Sequence, residues 1–201
     1  MKIELNRDWT EFLCALIARR VRFVLVGGHA VAGHGEARLT EDLDVFADRT
    51  LANARRLREA LIDFGFGAAV PEATELARPD RIIILGQKPW RIDILTGIDN
   101  ISFDEAWATR VLADFIAKPL YVIGRDMLLR NKRAAGRDKD LLDVSMLEAH
   151  ASPRPQPAAK KKAAKKKPAK KKPAKKKSAR RRRLREAEAE ERIFEEPFDA
   201  R

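Results

Sequence analysis

The segment Val21-Arg22-Phe23-Val24-Leu25-Val26 is an apolar run that stops on Gly27-Gly28, and thirteen residues separate Gly28 from Asp42-Leu43-Asp44. Such a run predicts a strand, and the two glycines predict a turn into a short helix, 29–34, whose first amides can face an anion because no Cβ blocks the approach. In an extended segment, side chains alternate between faces, so Asp42 and Asp44 project together while Leu43 and Val45 pack inward. A third carboxylate, Asp93, stands in Arg91-Ile92-Asp93-Ile94-Leu95 with the same apolar-polar-apolar rhythm. A neighbouring strand there would bring a third oxygen to the same spot. Carboxylate oxygens grouped in this way suit Mg²⁺ or Mn²⁺, and a site of that kind performs two-metal phosphoryl transfer.

The remaining elements alternate between helix and strand. Trp9, Phe12, Leu13, Leu16 and Ile17 recur at helical spacing and predict an amphipathic helix over 8–20, closed by Arg19-Arg20. Strands are expected over 21–26 and 42–47. Thr50 caps a helix whose apolar face is Leu57, Ala60, Leu61 and Phe64, with Gly65 as its left-handed stop. Residues 81–85 and 91–95 flank Gly86-Gln87-Lys88-Pro89 and predict an antiparallel hairpin. A helix over 103–109, strands near 111–116 and 120–123, and helices over 125–135 and 138–149 complete the domain. The predicted class is α/β with a small mixed sheet flanked by helices.

Charge divides the chain. Residues 1–150 carry 22 Lys+Arg and 23 Asp+Glu, a net of −1, whereas residues 151–201 carry 20 and 7, a net of +13. The first part is long enough for one domain with its own core and holds all the segments able to build it. From Lys160 the second part repeats three lysines and an Ala-Ala or Pro-Ala pair, then runs into Arg180-Arg181-Arg182-Arg183. It has no large apolar side chains, its charges repel, and Pro168 and Pro173 interrupt any helix, so 151–183 is expected to stay disordered. It resembles histone-H1-like bacterial tails. Counterion release drives such polycations onto phosphate backbones without base readout, making DNA or RNA the expected partner; a solubility tail or a localisation signal is the plainer reading. An acidic segment, 184–201, follows.

The opening residues have no apolar leader and no stretch is long and uncharged enough to span a membrane, so a cytoplasmic protein without a membrane partner is expected. Cys14 is the sole cysteine. That excludes an intrachain disulfide and a multi-cysteine zinc site, and its place on an apolar helix face suits core packing. His29 and His34 lie five residues apart, unsuited to one zinc ion on one helix face, and are read as core or supporting residues.

Val26-Gly27-Gly28, then Arg38-Leu39-Thr40-Glu41-Asp42-Leu43-Asp44, then Asp93 on a later strand, resembles the DNA polymerase β-like nucleotidyltransferase superfamily over most of residues 20–145. Within it, the Gly-Gly-His-Ala start, the Arg-x-Thr-x-Asp-Leu-Asp block and the late Lys132, Arg137, Asp140 and Asp143 are similar to the AbiEii-type branch of abortive-infection and toxin–antitoxin systems. The resemblance implies an NTP–Mg²⁺ substrate and transfer of a nucleotidyl group to a hydroxyl or phosphate acceptor, with RNA or tRNA among the candidates and a cognate toxin or antitoxin as a partner. It implies metal ligation by Asp42, Asp44 and Asp93, with Asp93 as candidate general base. Phosphates would lie against Gly27 and Gly28, and Lys132 would supply the opposing cation, oriented by Asp140 or Asp143. Longer branch members carry a further helical part, whereas here the compact domain is expected to end near His150. Each assignment has a plainer counterpart: Arg38 and Thr40 contact the nucleotide or simply shape the loop, and the late charged residues serve the site or form a salt-bridged helix surface. A non-catalytic nucleic-acid-associated or antitoxin-like protein with the same fold stays open, as does a small-molecule nucleotidyltransferase.

Overall fold

A computed structural model of the chain describes residues 1–35, 39–116 and 118–149, all within one compact unit, Met1–Arg154. Arg38, His150, the basic segment 151–183 and the acidic segment 184–201 lie outside the described residues, and so do the expectations that concern them.

The elements follow in the order α1 (Arg7–Ala18), β1 (Phe23–Leu25), α2 (Gly27–Gly33), β2 (Asp42–Ala47), α3 (Leu51–Leu61), α4 (Ala73–Leu76), β3 (Ile82–Leu85), β4 (Arg91–Leu95), α5 (Phe103–Ala108), β5 (Val111–Phe115), β6 (Lys118–Val122), α6 (Arg125–Ala135) and α7 (Asp138–Ala149). The strands form one six-stranded sheet in the order β3-β4-β2-β1-β6-β5. It is mixed: β2 and β4 run parallel, as do β1 and β6, while β1–β2, β3–β4 and β5–β6 are antiparallel. The expected α/β class with a mixed sheet flanked by helices is the fold observed.

Local chemistry explains most boundaries. The side chain of Asn6 accepts from Trp9 N–H and starts α1 a residue earlier than the apolar pattern indicates. The helix closes at Ala18, and Arg20 turns into the left-handed region at φ 53°. Arg19 binds Asp63 at 2.5 Å and Glu59 at 3.1 Å, fastening the end of α1 to the last turn of α3 and the segment after it. Thr50 caps α3 through Asn53 N–H. The helix then widens into a π-helical turn, Ile62–Phe66, in which Gly65 breaks the pattern at φ 110°. Ser102 and Glu105 form a reciprocal capping box at the start of α5. The short 3₁₀ turn Gly67–Ala69 and α4 fall where the sequence shows neither a full apolar period nor a strand rhythm.

The apolar pattern is realised as burial. Phe12, Leu13 and Leu16 of α1 and Leu61 of α3 are fully buried, as are Leu43 and Val45 of β2 and Ile94 of β4. Phe12 meets Phe64 edge-on at 5.4 Å, and Cys14 packs against this core. The opposite side chains of β2 and β4 are thereby left for the polar face. Among the described residues no helix is long and apolar enough to cross a membrane.

Candidate active site

Parallel pairing of β2 with β4 sets Asp42 beside Arg91 and Asp44 beside Asp93. Paired residues in adjacent strands share a face, so three carboxylates and one guanidinium stand together on the polar side of the sheet. They line a cavity of about 580 Å³, and Gly27, Gly28 and Lys132 line it too. All six residues singled out from the sequence thus meet at one place, brought there by β1–α2, β2, β4 and α6.

The glycines are spatial requirements. Gly27 opens α2 at φ 64°, and a Cβ on it would lie 1.9 Å from Asp44 Oδ2. Only a residue without a side chain lets the start of α2 close down on that carboxylate. A Cβ on Gly28 would come within 2.7 Å of Thr40 Oγ1. Thr40 in turn donates to Asp42 Oδ1 at 2.9 Å, so it fixes one oxygen of the first aspartate. The helix starts at the glycines themselves, two residues before the expected start at His29.

Arg91 dominates the electrostatics. Its Nη2 donates to Asp42 Oδ2 and to Asp93 Oδ2, each at 2.8 Å. Asp93 is 7% exposed, and its other oxygen, Oδ1, is buried with no hydrogen-bond partner. Burial raises the Asp93 pKa, with Arg91 opposing it. Asp44 is pushed up to about 6 by burial and then by the charges of Asp42 and Asp93, against the attraction of Lys132 and Lys139. With the side chains in this arrangement, no three carboxylate, imidazole or thiolate groups among the described residues converge as a ready ligand set, because Asp42 and Asp93 both turn to Arg91. The donor chemistry nonetheless suits a hard divalent cation: all oxygen, all carboxylate, one oxygen buried without a partner, and a glycine that makes room for Asp44.

Lys132 is 5% exposed, and its Nζ lies 2.8 Å from Asp140 Oδ1 and 2.9 Å from Asp143 Oδ2. Arg137 Nε binds the other oxygen of Asp140 at 2.5 Å. Burial alone would raise the Asp140 pKa, but hydrogen bonds from Arg137 and Lys132 hold it below the usual carboxylate range. Lys132, Asp140 and Asp143 are therefore a buried network joining α6 to α7, with Arg137 attached to it from the surface, where the plainer reading of the sequence had an exposed salt-bridged surface throughout. Arg137 and Lys139 also line the cavity.

Sequence reasoning missed Arg91 and Lys139. The signal for Arg91 was present: a residue two places before Asp93 on the same strand must share its face. Lys139 carried none, since its approach depends on the turn between α6 and α7. The histidines fall outside the cavity lining. His29 meets Trp9 edge-on at 4.9 Å, and burial, opposed by Asp42, lowers its pKa to about 4. His34 Nε2 hydrogen-bonds the Ile123 carbonyl at 2.8 Å, a packing role.

No protein-family model and no curated protein matches the sequence. A solved structure with a similar chain course is the lincosamide antibiotic adenylyltransferase LnuA with lincomycin bound, at 12% identity and a TM-score of 0.47, covering 74% of this chain and 99% of that one.

Proposed function

We propose that this chain is a metal-dependent nucleotidyltransferase that moves a nucleotidyl group from an NTP to an acceptor. The observation that carries the reading is the β2–β4 register, which places Asp44 beside Asp93 with Asp42 on the same face, under the start of α2 and opposite Lys132. Asp42, Asp44 and Asp93 would hold Mg²⁺ or Mn²⁺, which would neutralise the triphosphate and acidify the acceptor hydroxyl. Lys139, with Lys132 and Arg137 already bound to Asp140 and Asp143, would supply the cations nearest the β- and γ-phosphates, and Gly27 and Gly28 would leave space for the triphosphate to lie against the backbone. Asp93 would take the acceptor proton. The acceptor oxygen bonds to the α-phosphorus, the bond from that phosphorus to the bridging oxygen breaks, and pyrophosphate leaves. The basic segment 151–183 would bind RNA or DNA through its phosphates, which makes a nucleic-acid acceptor the leading choice. A defence or toxin–antitoxin setting, with a cognate protein partner, follows only from the resemblance to the AbiEii-type branch.

One observation favours a second reading, a non-catalytic protein that keeps the fold: Arg91 already pairs with two of the three carboxylates. Incubation with each labelled NTP, Mg²⁺ or Mn²⁺, and total RNA separates the two. Transfer of label is expected, lost in an Asp42→Asn, Asp44→Asn double variant. Undiminished transfer in that variant would overturn the two-metal reading. Absence of transfer, together with no NTP raising the melting temperature at millimolar concentration with either metal, would establish the second.

A further inference from the structure

We propose that Arg91 is a phosphate ligand held in reserve: divalent metal displaces its guanidinium from Asp42 and Asp93, and the freed side chain then binds the triphosphate of the nucleotide. The inference rests on the metal-binding reading of those aspartates.

The contact between Arg91 and the carboxylates is incomplete on both sides. A guanidinium built as a permanent partner for carboxylates offers its fork, two parallel N–H groups to two oxygens of one acid. Arg91 instead applies one nitrogen, Nη2, to oxygens of two different acids. Its Nε is buried without a hydrogen-bond partner, and so is Oδ1 of Asp93. Unmet donors and acceptors of this kind are costly, so the contact is one that a better ligand for the carboxylates can replace.

A destination exists. Arg91 lines the cavity with a side chain 27% exposed, on the strand face it shares with Asp42 and Asp93, and Lys132, Lys139 and Arg137 line the same cavity. Without metal, Arg91 offsets the mutual repulsion of Asp42, Asp44 and Asp93. With a divalent ion on these oxygens, the guanidinium faces like charge, and the polyanion bound beside it becomes its natural partner. One residue thus opposes metal binding and favours nucleotide binding.

Those opposite signs define the test. Mn²⁺ affinity of the full chain is measured by electron paramagnetic resonance without nucleotide, and NTP affinity by calorimetry at saturating Mn²⁺. Arg91→Met is expected to tighten Mn²⁺ about tenfold and to weaken the NTP about tenfold, one charge-assisted contact each way. Arg91→Lys, which keeps a cation but not the planar fork, is expected between wild type and Arg91→Met on both scales, and serves if Arg91→Met does not fold. Unchanged or weaker Mn²⁺ binding in the Arg91 variants, or NTP binding as tight as wild type, overturns the proposal. The Asp42→Asn, Asp44→Asn variant tells the two failures apart. If wild type binds Mn²⁺ through these aspartates and loss of Arg91 does not tighten it, only the role of Arg91 falls. If neither the wild type nor the Arg91 variants bind Mn²⁺, or the aspartate variant binds it unchanged, the metal site and Arg91's role fall together.

Discussion

At the scale of single residues, the polar face is assembled against the preference of its own groups. Asp44 titrates at about 6 in the fold against an ordinary value near 3.8. A carboxylate raised on folding favours the native state most below its unfolded pKa, and that advantage is lost as pH rises through the folded value. At pH 7.5 its charge therefore works against the fold, and Asp44→Asn is expected to raise the melting temperature of the metal-free protein by several degrees, at about 2–4 °C per kcal/mol. Scanning calorimetry checks this, and a lower melting point would show that Asp44 is stabilised by contacts made only to its charged form. His29 behaves in the opposite way. Its pKa falls from 6.5 to about 4 through burial, so the unfolded chain takes up a proton that the fold refuses, and stability present above pH 6.5 is lost as pH falls toward 4. The loss reaches ~3 kcal/mol at pH 4. Urea titrations of wild type and His29→Gln at pH 7 and pH 4.5 are expected to diverge, the wild type losing more on acidification. Parallel losses would mean that His29 titrates in the fold as it does in the unfolded chain.

At the scale of elements, α6 and α7 are joined by charge as much as by apolar contact. Lys132→Met leaves Asp140 and Asp143 buried without their shared cation, and is expected to cost about 3–5 kcal/mol. Lys88→Ala removes only an exposed pair with Glu41 and is expected to cost under about 0.5 kcal/mol. Adding Asp143→Asn to Lys132→Met should recover part of the loss in a double-mutant cycle; strict additivity would show the ion pair to be energetically idle. Most elements were legible in advance because period and punctuation agreed. Trp9, Phe12, Leu13 and Leu16 named α1, and Asp42-Leu43-Asp44-Val45 gave β2 its two faces. What could not be read was whatever depended on partners far away in sequence. The β2–β4 register, the descent of Lys132 into a buried network and the reach of Arg19 across to Asp63 follow from packing that no local window contains. Arg91 is the instructive case: its face was readable, but its pairing with Asp42 needs the register.

For the whole molecule, the described helices and strands all lie before residue 150, and deletion of 151–201 is expected to leave a folded domain with an unchanged two-state melt. Nucleic-acid affinity should fall sharply on that deletion. For the full chain, log affinity should decline linearly with log salt at about 0.7–0.9 per phosphate contact, with little preference among sequences. Filter binding across a salt series checks it, and equally tight binding by the truncated domain would move recognition to the folded part. Transfer to a small acceptor should survive the deletion, since the described residues that line the cavity lie ahead of it.

The contact between Gly27 and Asp44 has a genetic consequence. Every base change in the first two positions of a glycine codon introduces a side chain or a stop, and at Gly27 any Cβ must enter the space of the Asp44 carboxylate from a backbone at φ 64°. Missense alleles at this codon should therefore behave as nulls even though glycine itself performs no chemistry. If the proposed transfer is what the gene supplies, loss-of-function alleles should fall at codon 27 as well as at codons 42, 44 and 93.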